Sequence, residues 1–88
     1  MTDGEILAVL KIDLQISTTT LDSYLNQLIT AAKDYITTEG ITILPSDALL
    51  VEMYAAYLYR KRREDDTGMP RMLRYALNNR LLSEGGNG

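Results

Sequence analysis

Between Ala48 and Tyr59, twelve consecutive residues carry one charge, that of Glu52. A helix on the surface of a small domain buries an apolar stripe a little over 100° wide. Here nearly every position is apolar or aromatic, so one stripe cannot account for the segment. A bilayer needs about 20 apolar residues, so the segment is not a membrane span. Two arrangements remain: a central helix wrapped by the rest of the chain, or a helix with one side against another subunit. Leaving about four of these large side chains in water would forgo roughly 6 to 12 kcal/mol of burial. That is comparable to the whole stability of a typical domain, about 5 to 15 kcal/mol. Tyr54, Tyr57 and Tyr59 suit an interface, because each ring is apolar and each hydroxyl tolerates water.

The remainder of the 88-residue chain must supply whatever wraps this segment. Its length allows one small domain with a marginal core, and 45% hydrophobic with 24% charged residues argues against disorder. The spacing predicts four helices. Thr2 and Glu5 have capping-box spacing, and Ile6, Leu7 and Leu10 follow on one face. From Lys11 to Thr18 the apolar residues alternate (Ile12, Leu14, Ile16), the pattern of an extended connector. A second capping box at Thr19 and Asp22 opens the clearest helix, with Leu21, Leu25, Leu28, Ile29, Ala32 and Ile36 at helical spacing and Gly40 closing it. Ile41 to Leu44 reads as a buried linker or stray strand ended by Pro45.

Ser46 is the expected N-cap of the third helix, with Asp47 at its positive end, and the helix should reach about Arg63. Asp66 to Gly68 break the pattern. Pro70 suits the first turn of a fourth helix, with an apolar stripe of Met69, Met72, Leu73, Ala76, Leu77 and Leu81. The expected fold is all-α: two longer antiparallel helices flanked by a short N-terminal and a short C-terminal helix. One domain is expected over residues 1–84, with 85–88 as a flexible tail. Met1 to Gly4 lack a basic n-region and cleavage site, so no signal peptide is expected.

Cys and His are absent, which removes the usual zinc and copper ligands, the disulfide framework and the usual base of a catalytic triad. Glu64-Asp65-Asp66 lacks calcium-loop spacing and reads as an exposed acidic turn. No catalytic residue, cofactor or metal is expected. Charge is unevenly placed: residues 1–59 hold two basic and eight acidic side chains, net −6, and residues 60–88 hold seven and four, net +3. Arg60-Lys61-Arg62-Arg63 complements a helix C-terminus and offers i,i+4 pairs such as Arg60 with Glu64. Equally, a two-signed subunit suits head-to-tail assembly, which closes into rings when the rotation permits. A phosphate patch of Arg60, Arg62, Arg71 and Arg74 is a third reading, weakened by interleaved acids.

The chain resembles the small helical head–tail connector proteins of tailed bacteriophages, also called head-completion or DNA-packaging adaptor proteins. The resemblance rests on Leu21 to Ile36 with its Ala31-Ala32 and Tyr35-Ile36 ending, on Leu44-Pro45-Ser46-Asp47 leading into a helix that closes Tyr59-Arg60-Lys61-Arg62-Arg63, and on Met69 to Leu77. It implies a structural virion protein that forms a homo-oligomeric ring beneath the portal, extends the DNA channel and docks the next neck or tail protein. It also implies assembly in the host cytoplasm, DNA passing without specific binding, and no membrane. On this reading the candidate subunit interface is Tyr24, Tyr35, Met53, Tyr54, Tyr57 and Tyr59. The candidate docking residues are Arg60, Arg62, Arg63, Arg71 and Arg74. Two alternatives are a helical nucleic-acid-binding regulator, for which Arg71, Arg74, Asn78 and Asn79 are the available base readers, and a host protein-interaction module.

Overall fold

A computed structural model describes residues 2–63 and 68–85. Four helices follow one another: α1 (Asp3–Leu14), α2 (Asp22–Thr38), α3 (Ala48–Arg63) and α4 (Arg71–Gly85), with a 3-10 turn over Pro45–Asp47 before α3. No strand occurs among the described residues, so Ile41 to Leu44 is linker. The fold is the expected all-α bundle. At 15 residues, however, α4 is nearly as long as the 16-residue α3, not a short flank. Gly85 is the last residue of α4, so the helix runs into the expected tail; residues 86–88 and the Glu64-Asp65-Asp66 turn lie outside the described residues.

Helix α1 begins at the expected capping box: Thr2 Oγ1 accepts the Glu5 N–H and Glu5 Oε1 accepts the Thr2 N–H. It then continues through the segment whose alternation predicted a connector. Ile6, Leu10 and Leu14 recur every four residues, and that helical row packs on the core while Ile12 stands 78% exposed. The three-residue alternation was too short to outweigh it. The helix ends with Gln15 in the left-handed region (φ 59°), its N–H on Ile12 O and the Ile16 N–H on Lys11 O. The second helix ends in the same way on Gly40 (φ 106°), with the Gly40 N–H on Thr37 O and the Ile41 N–H on Ile36 O. Glycine stands at one of these closures and glutamine at the other.

Two expected caps are replaced. α2 starts after Leu21 without a side-chain cap, because the Asp22 carboxylate is drawn to Lys11 Nζ, 2.8 Å away on α1. At α3, Asp47 takes the capping role expected of Ser46: its Oδ2 accepts the Leu44 N–H at 2.8 Å. Pro70 precedes α4 rather than sitting within its first turn, and its carbonyl accepts the Arg74 N–H.

α3 is the central element, with α1, α2 and α4 packed on it. Tyr24 near the start of α2 meets Tyr59 near the end of α3, and Tyr35 near the end of α2 stacks on Tyr54, so the two helices run antiparallel. Ala55 and Ala56 let α1 and α2 approach closely, and Leu10, Leu25, Ile29, Val51 and Leu77 fill the centre. The apolar excess of α3 is therefore met largely within the chain. Leu49 is its one strongly exposed large apolar side chain.

α4 is fastened differently from the other helices. Leu73 and Leu77 are buried, and a polar clasp joins its second half to the linker before α3. Arg80 donates from Nε to Asp47 Oδ1 (2.7 Å) and from Nη2 to Thr42 O (2.9 Å) and Glu84 Oε1 (3.0 Å). Glu84 Oε1 in turn accepts the Thr42 N–H at 2.9 Å. Asp47 is only 5% exposed, so its carboxylate is held by a guanidinium and a backbone amide rather than by water.

Candidate functional site

Five of the six candidate interface residues fall into two aromatic chains on the α2–α3 side, whereas Met53 lies apart from them, beside Asp13, Pro70, Met72 and Leu73. Tyr35, Tyr54 and Tyr57 form one: Tyr35 stacks on Tyr54 with ring centres 5.7 Å apart, and Tyr54 meets Tyr57 edge-on at 5.8 Å. Tyr24 and Tyr59 form the other, tilted at 6.4 Å. Tyr54 and Tyr57 are buried by the chain's own helices; Tyr24, Met53 and Tyr59 are half-buried; Tyr35 is 53% exposed. Burial raises the Tyr54 hydroxyl pKa, with Glu39 adding to the effect, so this phenol stays neutral.

The basic run at the end of α3 folds back over these rings. Lys61 lies over Tyr57, Arg62 over Tyr24 and Arg63 over Tyr59, each 5.6 to 5.8 Å from the ring centre. Arg63 also donates to Tyr59 Oη at 3.0 Å. The sequence separates tyrosines and arginines into interface and docking groups, whereas the structure joins them into one cationic, aromatic surface. Arg60 and Arg74 are exposed but engaged, Arg60 with Asp13 at 3.2 Å and Arg74 with Glu39 at 3.8 Å. Arg71 is exposed at the start of α4.

A second surface is absent from the sequence reading. Met72, Tyr75 and Leu82 are 74%, 60% and 72% exposed, and with Asn79 they follow the 3-4-3 spacing of one helical face. That face points away from the core side of α4, which carries Leu73 and Leu77. The expected stripe counted Met72 among the core residues; the structure places it on the outer face, 100° of helix rotation from Leu73. The signal was in the spacing: α4 carries two apolar rows, and either could have been assigned to the core.

The third feature is a charge cluster between α1 and α3. Glu52 is 4% exposed, and its Oε2 is buried with no hydrogen-bond partner. The Asp13 carboxylate of α1 is within hydrogen-bonding reach, and burial together with Asp13 raises the Glu52 pKa to about 7, against a smaller lowering effect of Arg60. Beside it a cleft of about 370 Å³ is lined by Asp13, Leu14, Gln15, Tyr59, Arg60 and Arg63. Among the described residues no group of three or more metal-ligating side chains converges, and no helix is long and apolar enough to cross a membrane.

This surface can bind by apolar contact, cation–π contact and charge. Comparison with curated proteins and with solved structures gives no match. The family model described as "Phage gp6-like head-tail connector protein" matches residues 5–79, a span that takes in α1 from Glu5 onward, α2, α3 and the first nine residues of α4. The chain belongs to the phage gp6-like head–tail connector family, a structural family of the bacteriophage virion.

Proposed function

We propose that this connector assembles with copies of itself into a ring between portal and tail, extends the DNA channel and presents a docking surface to the next neck or tail protein. The observation that carries the self-assembly is the outer row of α4. Met72, Tyr75 and Leu82 are large apolar side chains facing water, and covering them stabilises by roughly 1.5 to 3 kcal/mol each. With Tyr35 they define the apolar part of the subunit interface. Tyr24, Met53 and Tyr59 offer only their exposed edges, and Tyr54 and Tyr57 support Tyr35 from behind. Of the candidate docking residues, Arg62, Arg63 and Arg71 offer charge suited to an acidic partner surface, while Arg60 and Arg74 would have to exchange their pairs with Asp13 and Glu39 to join them.

Light scattering over a concentration series, with and without portal-bearing capsids, tests this reading. A discrete large species, or a stoichiometric complex on the portal, supports it. Tyr75→Asp should reduce assembly while helicity by circular dichroism is retained. A wild-type chain that stays monomeric and ignores the portal overturns the proposal. The net charge of −3 suits a channel wall that lets DNA slide. Sub-micromolar DNA affinity at physiological salt in a filter-binding assay would contradict that role and favour a nucleic-acid-binding regulator.

A further inference from the structure

The α1–α3 seam buries a charge arrangement that its packing does not require. Glu52 sits in the second turn of α3, inside the apolar run Ala48 to Tyr59, with Ala48 and Ala56 one turn away on either side, both buried. Its Oε2 has no partner, although a buried polar atom ordinarily has one. The ionisable group that acts on it from the facing helix is another carboxylate, Asp13, rather than a base. Arg60, two turns further along α3, already donates to Asp13 Oδ1 at 3.2 Å. One guanidinium thus stands against two carboxyls. The other charged groups around the seam are engaged elsewhere: Lys11 with Asp22, Arg63 with Tyr59, Arg74 with Glu39, and Arg80 with Asp47.

Asp13 shares a cleft with Met53, Ala56 and Arg60, the neighbours of Glu52 along α3. Two carboxyls brought together in this way, one of them desolvated, cannot both ionise cheaply, and they hold a proton between them when one is neutral. We propose that Glu52 and Asp13 share one proton across the α1–α3 seam, and that its release loosens the last turn of α1, making that turn a pH-sensitive latch. The protonated Glu52 carboxyl donates to the Asp13 carboxylate, which keeps its bond to Arg60. On ionisation the donor is lost, and two negative charges face each other across the seam with a single guanidinium between them. The turn that yields is the one ending at Gln15, a non-glycine residue already in the left-handed region. It also borders the cleft beside Tyr59, Arg60 and Arg63, so opening it would enlarge the space beneath the basic run.

The direction of the pH effect follows from the Glu52 value of about 7 in the folded chain against 4.5 for the free side chain. Between those values the folded state holds a proton that the unfolded state has released. The stabilisation is fully present below about pH 4.5 and is lost as pH rises through about 7. A shift of this size corresponds to at most about 300-fold in the folding constant.

Urea unfolding and amide hydrogen exchange between pH 5 and pH 8 test the latch in the full chain, alongside Glu52→Gln, which donates without titrating. Exchange rates are corrected for their intrinsic pH dependence. In the wild type the Gln15 and Ile16 amides, which close α1, should lose at least tenfold in protection from pH 5 to pH 8. The Gly40 and Ile41 amides, which close α2 in the same geometry, should hold theirs. In Glu52→Gln the loss at Gln15 and Ile16 should disappear. Should Glu52→Gln fold poorly, Asp13→Asn removes the second carboxylate and should shrink the loss at Gln15 and Ile16 at least threefold, the remainder coming from the burial of Glu52 itself. Parallel pH profiles for wild type and both variants, within twofold, would overturn the proposal, as would equal loss of protection at both helix closures.

Discussion

Replacing Asp47 with alanine separates two views of the clasp that holds α4. As an ordinary surface ion pair, Arg80 with Asp47 would contribute about 0.2 to 1 kcal/mol. The structure argues for more. Asp47 is 5% exposed and accepts two hydrogen bonds, from Arg80 Nε at 2.7 Å and from the Leu44 N–H at 2.8 Å. Hydrogen bonds to charged groups contribute about 1.5 to 3 kcal/mol each, and part of that is offset by the cost of keeping the carboxylate from water. The net expected loss for Asp47→Ala is about 2 to 4 kcal/mol, a large share of the roughly 5 to 15 kcal/mol that a domain possesses. In a chain of this size that lowers the melting temperature by on the order of 10 to 25 °C. Asp47→Asn keeps an acceptor for the Leu44 amide and should lose about half as much. Thermal and urea unfolding at pH 7 provide the measurement. A loss below about 1 kcal/mol for Asp47→Ala would refute the reasoning and make the clasp an ornament of the surface.

Two further substitutions test the packing. Gln15→Gly relieves the left-handed backbone at the end of α1 and should stabilise by about 0.5 to 1 kcal/mol in urea unfolding, whereas Gly40→Ala should destabilise by a similar amount, since φ there is 106°. Leu77→Ala should lose about 2 to 4 kcal/mol because Leu77 is fully buried, while Met72→Ala on the outer row of the same helix should change monomer stability by less than about 0.5 kcal/mol. Equal losses at both sites would mean that the two faces of α4 have been assigned the wrong way round.

Most of the helical content was legible because helical spacing recurs over three or more turns in α2 and is reinforced by the glycine closure at Gly40. The end of α1 was not, since Ile12, Leu14 and Ile16 fit an alternating pattern that only the packing of Leu14 against the core decides. The caps of α2 and α3 were misread for a related reason. Lys11 of the preceding helix draws the Asp22 carboxylate away, and at α3 it is Asp47 rather than Ser46 that receives the Leu44 amide, held in place by Arg80 on its other oxygen. α4 was ambiguous at its root: two apolar rows on one helix cannot be ranked without knowing which lies against α3. The proton shared by Asp13 and Glu52 was beyond reach, because 39 positions separate the two residues and nothing local marks them as neighbours. The family was legible from segment pattern alone, and the matching family model covers the same segments.

The way α4 is fastened also sets an order for folding. α1, α2 and α3 each pack on the other two, whereas α4 rests on α3 and is tied by the polar clasp from Arg80 to Asp47 and from Glu84 to Thr42. An element held by one neighbour and a clasp adds least to the shared core, so the three-helix body can assemble before the clasp does. The last helix then behaves as its own cooperative unit, opening at a lower free energy than the body it rests on. A chain emerging from the ribosome would complete that body first. The apolar outer row, the surface most prone to premature association, would be laid down only after it.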